Sequence, residues 1–172
     1  MDFLELAKKR YSVRSYTDAP VEKEKVDCIL EAARVAPSAA NLQPVRLVVI
    51  DDEKGMKKLG MAANTYGAPC AIIVCADHVR AWKRPTDGKS TADIDASIVT
   101  DHMMMEATSL GLGSVWICWF DPDTITREFG LSESLEPVNI LAVGYSDEPD
   151  KSPERFLDER ISLSELTDTR AS

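Results

Sequence analysis

Two short apolar segments constrain the fold more than any other feature of this sequence. Residues 46–51 and 70–76 are rich in valine and isoleucine and are bounded by polar residues or proline, as buried strands are. Residues 114–120 and 138–145 also read as strands, so we expect four. Because helical patterns occur between these segments, the sequence predicts an α+β fold in which helices flank one layer of sheet.

Helical periodicity defines the elements between the predicted strands. Asp2 can cap a short first helix, and Pro20 is placed to open a second helix that Pro37 ends. Residues 54–64 and 122–129 predict two shorter helices.

The longest helical pattern covers residues 91–110, and Gly111 stops it. Its predicted buried stripe consists of Ile94, Ile98, His102, Met105 and Ser109. Residues 11–16 alternate as an extended chain does, and residues 77–91 form a polar loop. Residues 146–172 are charged and contain two prolines. They cannot build a core alone, so we expect this tail to lie along another surface, such as a partner subunit.

The composition excludes several classes of protein. At about 150 residues per domain, the 172 residues predict one domain covering residues 1–172. A net charge of −9 argues against nucleic acid or an anionic membrane as partner, although local arginines can still hold one phosphate. The four cysteines form no CxxC pair, and we find neither a membrane-spanning run nor a leader. We therefore expect a cytoplasmic protein with reduced thiols.

Arg10, Ser12 and Arg14 are the first candidate site. In an extended segment these three side chains project on one face, and two guanidiniums with a hydroxyl suit a phosphate or the polar edge of a ring. The alternative is a solvated basic edge, in which Arg10 only neutralises the carboxyl end of the first helix. Spacing alone leaves both interpretations open.

Residues 36–44 are the second candidate. Ser38, Asn41 and Gln43 lie among small residues, so a flat ligand could approach the backbone closely and meet amide groups. The alternative is a simple helix stop followed by a turn.

Residues 111–121 are the third candidate. Gly111 and Gly113 follow a helix and precede a strand, the reverse of the dinucleotide-binding order, so no Rossmann site is predicted. Trp116 and Trp119 are by default packing residues. Cys118 has no evident base that would make it a nucleophile.

The remaining polar residues predict neither a metal site nor a catalytic pair. His78 and His102 have no acidic residue at ligand spacing. Two acidic pairs are expected to be solvated: Asp93 with Asp95, and Glu133 with Glu136.

Four segments in this order, RYSVRSY, APSAANLQP, YGAPCAIIV and LGLGSVWICWFD, resemble the nitroreductase family of FMN-dependent oxidoreductases. The resemblance extends over nearly the whole chain. It implies a three-layer α/β/α fold with a central, mostly antiparallel sheet. It also implies an intertwined homodimer, in which each FMN lies at the interface and contacts both subunits.

The same resemblance implies roles for individual residues. Arg10, Ser12 and Arg14 would bind the FMN phosphate, the ribityl chain and the N1/O2 edge of the ring. The neighbouring subunit would contribute Pro37, Ser38, Asn41 and Gln43. The ring would be lined by Trp116, Ile117, Cys118 and Trp119, with the backbone amide of Cys118 near N5. A basic residue of the tail would close over the phosphate, and Arg155 and Arg160 both fit this role, with Lys151 nearby.

The function implied is an oxidoreductase that takes hydride from NADH or NADPH by a ping-pong mechanism. Its acceptors would be nitro compounds, quinones or similar conjugated molecules. No catalytic side chain is needed, because the flavin carries the redox chemistry. Two alternatives stay open: a flavin-binding or sensing dimer with little turnover, and a flavin-free dimeric module that kept the fold.

Overall fold

The structure, a computed structural model, describes residues 2–168 and residue 170. Its centre is a four-stranded antiparallel sheet in the order β1-β2-β4-β3. The strands are β1 (Val45–Ile50), β2 (Cys70–Asp77), β3 (Gly113–Ile117) and β4 (Leu135–Gly144). Because β2 and β4 are internal, β1 and β3 form the two edges of the sheet.

Seven α-helices accompany the sheet in the described part of the chain. They are α1 (Phe3–Lys9), α2 (Lys23–Val35), α3 (Glu53–Leu59), α4 (Ala92–Ser109), α5 (Pro122–Phe129), α6 (Phe156–Glu159) and α7 (Leu163–Leu166). Side chains cap several of them. Asp2 forms the predicted cap of α1, as a capping box with Glu5, and Asp52 and Asp121 accept backbone N–H groups at the starts of α3 and α5.

Two apolar cores on opposite faces of the sheet create three layers. On one face, Leu59 of α3 and Ile125 of α5 are fully buried against the strands. On the other face, Ile29 of α2 and Met103 of α4 pack against alternate strand residues such as Ile72. This arrangement confirms the α+β class and the α/β/α layering around an antiparallel sheet.

Two predicted helix boundaries are wrong by several residues. The second helix begins at Lys23 rather than at Pro20, because Glu22, the N-cap residue, keeps an extended backbone. The helix predicted over 54–64 ends at Leu59, because Gly60 closes it and the following residues turn towards β3.

Two strand boundaries also differ from the prediction. β3 ends at Ile117 and not at residue 120, because the chain stops pairing with β4 there. Phe120 instead forms an isolated bridge with Ala63. β4 begins at Leu135 rather than at residue 138, because its first residues pair with the end of β2.

The buried face of α4 is not the predicted stripe. Ile94 is 51% exposed and Ser109 is exposed as well. The residues that face the sheet and α2 include Ala96, Val99, Met103 and Ala107. Small alanines let the helix lie close to its neighbours, and a search for large apolar residues at helical spacing does not detect that.

The N-terminal segment and the C-terminal tail lie at the margin of the sheet. Residues 11–16 are extended, with isolated bridges from Ser12 to Ser114 and from Tyr16 to Ser146. The tail beyond β4 leaves large apolar side chains exposed: Leu157, Ile161, Leu163 and Leu166. Among the described residues, no helix is both long enough and apolar enough to cross a membrane.

Candidate functional site

Val13 anchors the segment that carries the two candidate arginines. Its side chain is 1% exposed within the core, and its N–H donates to the carbonyl of Ser114 at 3.0 Å. In an extended chain the residues on either side of an inward position point outwards. Ser12 and Arg14 are therefore directed away from the core.

Arg10, Ser12 and Arg14 line one hollow of about 240 Å³. The tail adds three more cations to the same hollow: Lys151, Arg155 and Arg160. Among its described lining residues, Glu159 is the one carboxylate. We call this the basic hollow; it gathers five cations in a chain of net charge −9.

The charges of the basic hollow are only partly neutralised, because five cations face one lining carboxylate, Glu159, and only Lys151 has a further acidic partner among the described ion pairs, Glu148 at 3.9 Å. Burial lowers the pKa of Arg10, and the positive charges of Arg155 and Arg160 lower it further, while Asp101 opposes them. An anion bound among these guanidiniums would relieve their repulsion through charge-assisted hydrogen bonds. The donor set therefore fits a phosphate group.

Arg155 ties the tail to the first helix. Its Nη1 donates to the carbonyls of Lys8 at 3.0 Å and Ser152 at 2.7 Å, and its Nη2 donates to the carbonyl of Arg10 at 2.6 Å. Most of its donors are thus committed to backbone oxygens, and this residue holds the wall of the hollow in place.

Arg160 keeps more of its donors available. Its guanidinium donates from Nη1 to the carbonyl of Glu159 at 3.0 Å and lies 5.0 Å from the ring centroid of Phe156. Arg155 lies 4.1 Å from the same ring. The geometry thus distinguishes the roles of two residues that the sequence could not distinguish. Arg155 holds the tail in place through backbone hydrogen bonds, and Arg160 is the tail arginine better able to bind an anion.

The second candidate segment is a strained loop and not merely a helix stop. We call residues 37–43 the amide loop. Ala40, Asn41 and Gln43 have φ values of 49°, 54° and 51°, and each such non-glycine residue costs about 1–2 kcal/mol. Ser38 Oγ accepts the N–H of Gln43 at 3.0 Å, while Pro37, Asn41 and Gln43 are exposed. Strain of this kind clusters where ligands bind.

Asp95, in the first turn of α4, fixes the amide loop by a hydrogen bond. Its carboxylate is 1% exposed and accepts the N–H of Ala39 at 2.9 Å and the hydroxyl of Thr91 at 3.2 Å. The prediction that Asp93 and Asp95 are both solvated is therefore wrong for Asp95. The first turn of a helix favours an anion, and Asp95 uses that position to hold the loop.

The end of β3 presents part of the third candidate segment to the surface. Trp116 is half-buried, and the side chain of Ile117 is 6% exposed in the core. Cys118 and Trp119 follow the strand and are exposed, Trp119 to 94%. Ile117 therefore offers mainly its backbone to a ligand. Trp119 lines a second hollow, of about 580 Å³.

Asn64 and Tyr66 also line that second hollow and were missed in the sequence. Asn64 Oδ1 accepts the N–H of Tyr66 at 2.9 Å, and Tyr66 has a φ of 57°. The Arg14 guanidinium lies 5.9 Å from the Tyr66 ring centroid, so the two hollows adjoin. The local sequence around Asn64 and Tyr66, Asn-Thr-Tyr-Gly, indicates a turn. Many turns without a functional role share such a composition, so it does not predict a binding site.

Within one chain the amide loop lies far from the basic hollow. The amide loop precedes Val45, which pairs with Ala76 near the end of β2. The arginine segment bridges to Ser114 of β3, which lies in register, through Val143 of β4, with Cys70 at the start of β2. The two groups thus occupy diagonal corners of the sheet, and three strand spacings alone amount to roughly 14 Å. One chain does not bring the two groups together.

The histidines belong to no metal site in the described residues, where no cluster of three or more His, Cys, Asp or Glu could hold an ion. His78 pairs with Glu136 at the surface. His102 bonds through Nδ1 to the carbonyl of Ile98 within α4, at 2.9 Å.

Comparison with known proteins decides the family. The model of the nitroreductase family matches residues 7–65 and 56–145. The matched ranges contain the arginine segment, the amide loop and all four strands. This chain belongs to the nitroreductase family. The resemblance noted in the sequence is thereby confirmed.

Individual members show the same similarity. A nitroreductase family protein from Clostridium difficile 630 is 54% identical, with a TM-score of 0.97 over 100% of both chains. An Archaeoglobus fulgidus protein, provisionally named an NADH dehydrogenase/NAD(P)H nitroreductase, is 32% identical over 92% of this chain and 95% of its own. An FMN-dependent nitroreductase from Clostridium difficile R20291 is 30% identical, with a TM-score of 0.73 over 91% and 96% of the two chains.

Proposed function

We propose that this nitroreductase-family chain is an FMN-dependent enzyme that takes hydride from NADH or NADPH and reduces nitro compounds, quinones or similar conjugated acceptors by a ping-pong mechanism. Bound FMN supplies reversible hydride acceptance, which no side chain can provide. The names of its relatives, which include an FMN-dependent nitroreductase and an NAD(P)H nitroreductase, support this assignment. The observation that carries it is the basic hollow, a ready phosphate site in an acidic chain.

The phosphate end of the site is formed by the basic hollow. Arg10 and Arg160 would donate to the phosphate oxygens, and Ser12 would reach the ribityl chain. Arg155 acts through position, because its bonds to backbone carbonyls hold the tail over the hollow.

The ring end extends from Arg14 along the edge strand β3. Arg14 lies between the basic hollow and Tyr66, where its charge stabilises negative charge at the pyrimidine edge of the ring. Beyond it, the backbone amide of Cys118 would lie near N5, and Trp116, Ile117 and Trp119 would line the ring. The side chains orient the ring and exclude water from it, and none transfers a proton.

A second copy of the chain completes the site. The basic hollow and the amide loop lie at opposite edges of one sheet, so they meet only when the loop of a partner approaches β3. That partner contributes its own Pro37, Ser38, Asn41 and Gln43. The exposed apolar side chains of residues 146–168 pack on the partner, as does the outer face of α4. Each chain acts as one domain within this homodimer, and free exposed cysteines fit the cytoplasm.

Purified protein loaded with FMN tests the proposal. We expect a yellow protein that oxidises NADH or NADPH only slowly without an acceptor and rapidly with a nitroaromatic or quinone, with parallel lines in double-reciprocal plots. Arg14→Ala should lose flavin, whereas Lys23→Ala, on α2 and paired with Asp27, should retain it. Negligible turnover with bound FMN would favour a flavin-binding or sensing dimer. A protein that stays colourless with added FMN would favour the flavin-free module.

A further inference from the structure

A loop of opposite charge projects from this acidic protein. Residues 78–90, called the basic loop below, contain four arginines and lysines and a single acidic residue, Asp87. All four cations are exposed. Arg84 is paired with Asp87 at 2.9 Å, but the ion pairs of the described residues do not include Arg80, Lys83 or Lys89. Three cations are therefore available to an external anion.

The basic loop has a defined hairpin conformation. Lys83 bridges to Ser90, and the N–H of Arg84 donates to the carbonyl of Lys89 at 2.9 Å. Asp87 Oδ1 accepts from both Arg84 Nε, at 2.9 Å, and the N–H of Lys89, at 3.1 Å. Residues that face each other across a hairpin present their side chains on one face. Arg84 and Lys89 are thus held side by side.

The basic loop and the amide loop share one support. Thr91 donates its N–H to the carbonyl of Trp82 at 3.0 Å and its hydroxyl to Asp95, whose carboxylate also holds Ala39. The N–H of Asp77, the last residue of β2 before the basic loop, donates to the carbonyl of Pro44 at 2.7 Å. The two loops therefore occupy the same corner of the sheet. If the amide loop contacts the partner's flavin, as proposed above, the basic loop lies near that flavin as well.

We infer that the basic loop binds the 2′-phosphate of NADPH, an inference that rests on the proposed function and specifies its electron donor. A phosphate monoester carries close to two negative charges near pH 7, and guanidinium and ammonium groups bind such an anion by charge-assisted hydrogen bonds. NADH lacks this group. The basic loop thus selects NADPH over NADH, whereas the nicotinamide stacks in the same position in both.

The test compares both donors in one triple variant, Arg80→Gln/Lys83→Gln/Lys89→Gln. We expect kcat/KM for NADPH to fall at least about tenfold, as loss of charged hydrogen bonds predicts, and that for NADH to change less than about twofold. FMN content should not change. The control is Lys54→Gln, an exposed lysine beyond the other end of β2, which should leave both donors unaffected. Raising the salt concentration should raise the KM of the wild type for NADPH more steeply than that of the variant.

A binding arm needs no turnover. Adenosine 2′,5′-bisphosphate should bind the FMN-loaded wild type more tightly than adenosine 5′-monophosphate does, and the triple variant should abolish the difference. Equal losses of kcat/KM for NADPH and NADH would overturn the inference, since they would place the pyrophosphate, which both donors carry, at the loop. A triple variant with the same kcat/KM values as the wild type would also overturn it. A wild type that binds FMN but oxidises neither donor would overturn the proposed function instead, and the bisphosphate titration would still decide the role of the loop.

Discussion

At the scale of single residues, the two tail arginines illustrate how contacts separate similar side chains. Among the described residues, Arg155 donates to three backbone carbonyls, whereas Arg160 donates to one. The family resemblance allows either to hold the phosphate, because the family's tail phrase fits the sequence at Arg160 and also, with one residue of slippage, at Arg155. Only the fold shows which guanidinium already has partners.

Alanine variants of these two arginines should therefore differ. Arg160→Ala removes the proposed phosphate ligand and should weaken FMN binding by about 1.5–3 kcal/mol, with little change in the resistance of the tail to proteolysis. Arg155→Ala should make residues 146–168 markedly more sensitive to protease even without FMN, because it releases the tail from α1. Limited proteolysis and FMN titration of both variants provide the comparison. Equal behaviour in both assays would contradict the division of roles.

The four cysteines provide a second residue-scale test. Burial raises the pKa of Cys70 to about 12 and that of Cys75 to about 11, whereas Cys28 and Cys118 are exposed. At pH 8 we expect two thiols per chain to react quickly with a thiol reagent in the FMN-free protein, and one, Cys28, after FMN is added. The matched variant is Cys28→Ser. Its one fast-reacting thiol should be Cys118, and FMN should slow the reaction of that thiol. If FMN leaves the rate at Cys118 unchanged, the ring does not lie there.

The same two buried thiols make stability fall at alkaline pH. Their pKa values in the folded chain lie above the ordinary value of 9.0, so above that pH the unfolded state releases protons that the folded state keeps. Their contribution is complete below about pH 9. It is lost progressively as the pH rises towards the folded-state values of about 11 and 12. Urea unfolding at pH 8 and at pH 10 measures this loss, and equal midpoints would contradict it.

At the scale of elements, the contact between β3 and the arginine segment depends on a glycine. A Cβ on Gly113 would lie 2.6 Å from Val13 Cγ2 and 3.1 Å from Val13 Cβ. Because Val13 anchors the segment that carries Arg10 and Arg14, crowding at this point should displace these proposed FMN ligands as well as the core.

Gly113→Ala should therefore lower the free energy of unfolding by about 1–3 kcal/mol, as overpacking does, and weaken FMN binding. Gly60→Ala is the control: its Cβ would contact the carbonyls of Lys57 and Met56 at an ordinary 3.4 Å. That variant should change stability by no more than about 1 kcal/mol. Denaturant unfolding and FMN titration of both proteins give the result, and a Gly113→Ala protein with native stability and affinity would refute the role of this contact.

How much the sequence predicted depended on the kind of element. The sequence predicts the buried strands β1 and β2 and the helix α5 to within a residue. For the strands the reason is that runs rich in valine and isoleucine are a strong local signal. The buried face of α4 was wrong, because alanines such as Ala96 decide it through close packing. Asp95 was missed for a related reason, since its partner Ala39 is distant in the sequence.

At the scale of the whole molecule, the candidate site has two halves that one chain keeps apart. The sequence contained both halves, as the arginine segment and the amide loop, but gave no distance between them. The sheet provides that information: its order puts the halves on opposite edges, beside β3 and before β1. The proposed homodimer rests on this separation, because a second chain is needed to bring an amide loop to the basic hollow.

Purified heterodimers test that claim most directly. One chain carries Arg14→Ala and the other, with a different affinity tag, carries Asn41→Ala/Gln43→Ala; each mutant homodimer should bind little FMN. In the heterodimer, one flavin site combines the Arg14→Ala segment of the first chain with the altered amide loop of the second. The other site combines the intact arginine segment of the second chain with the intact amide loop of the first. We therefore predict one tightly bound FMN per heterodimer, measured by flavin absorbance against protein concentration. A heterodimer with no tightly bound FMN would show that each site is built within a single chain and would contradict the account.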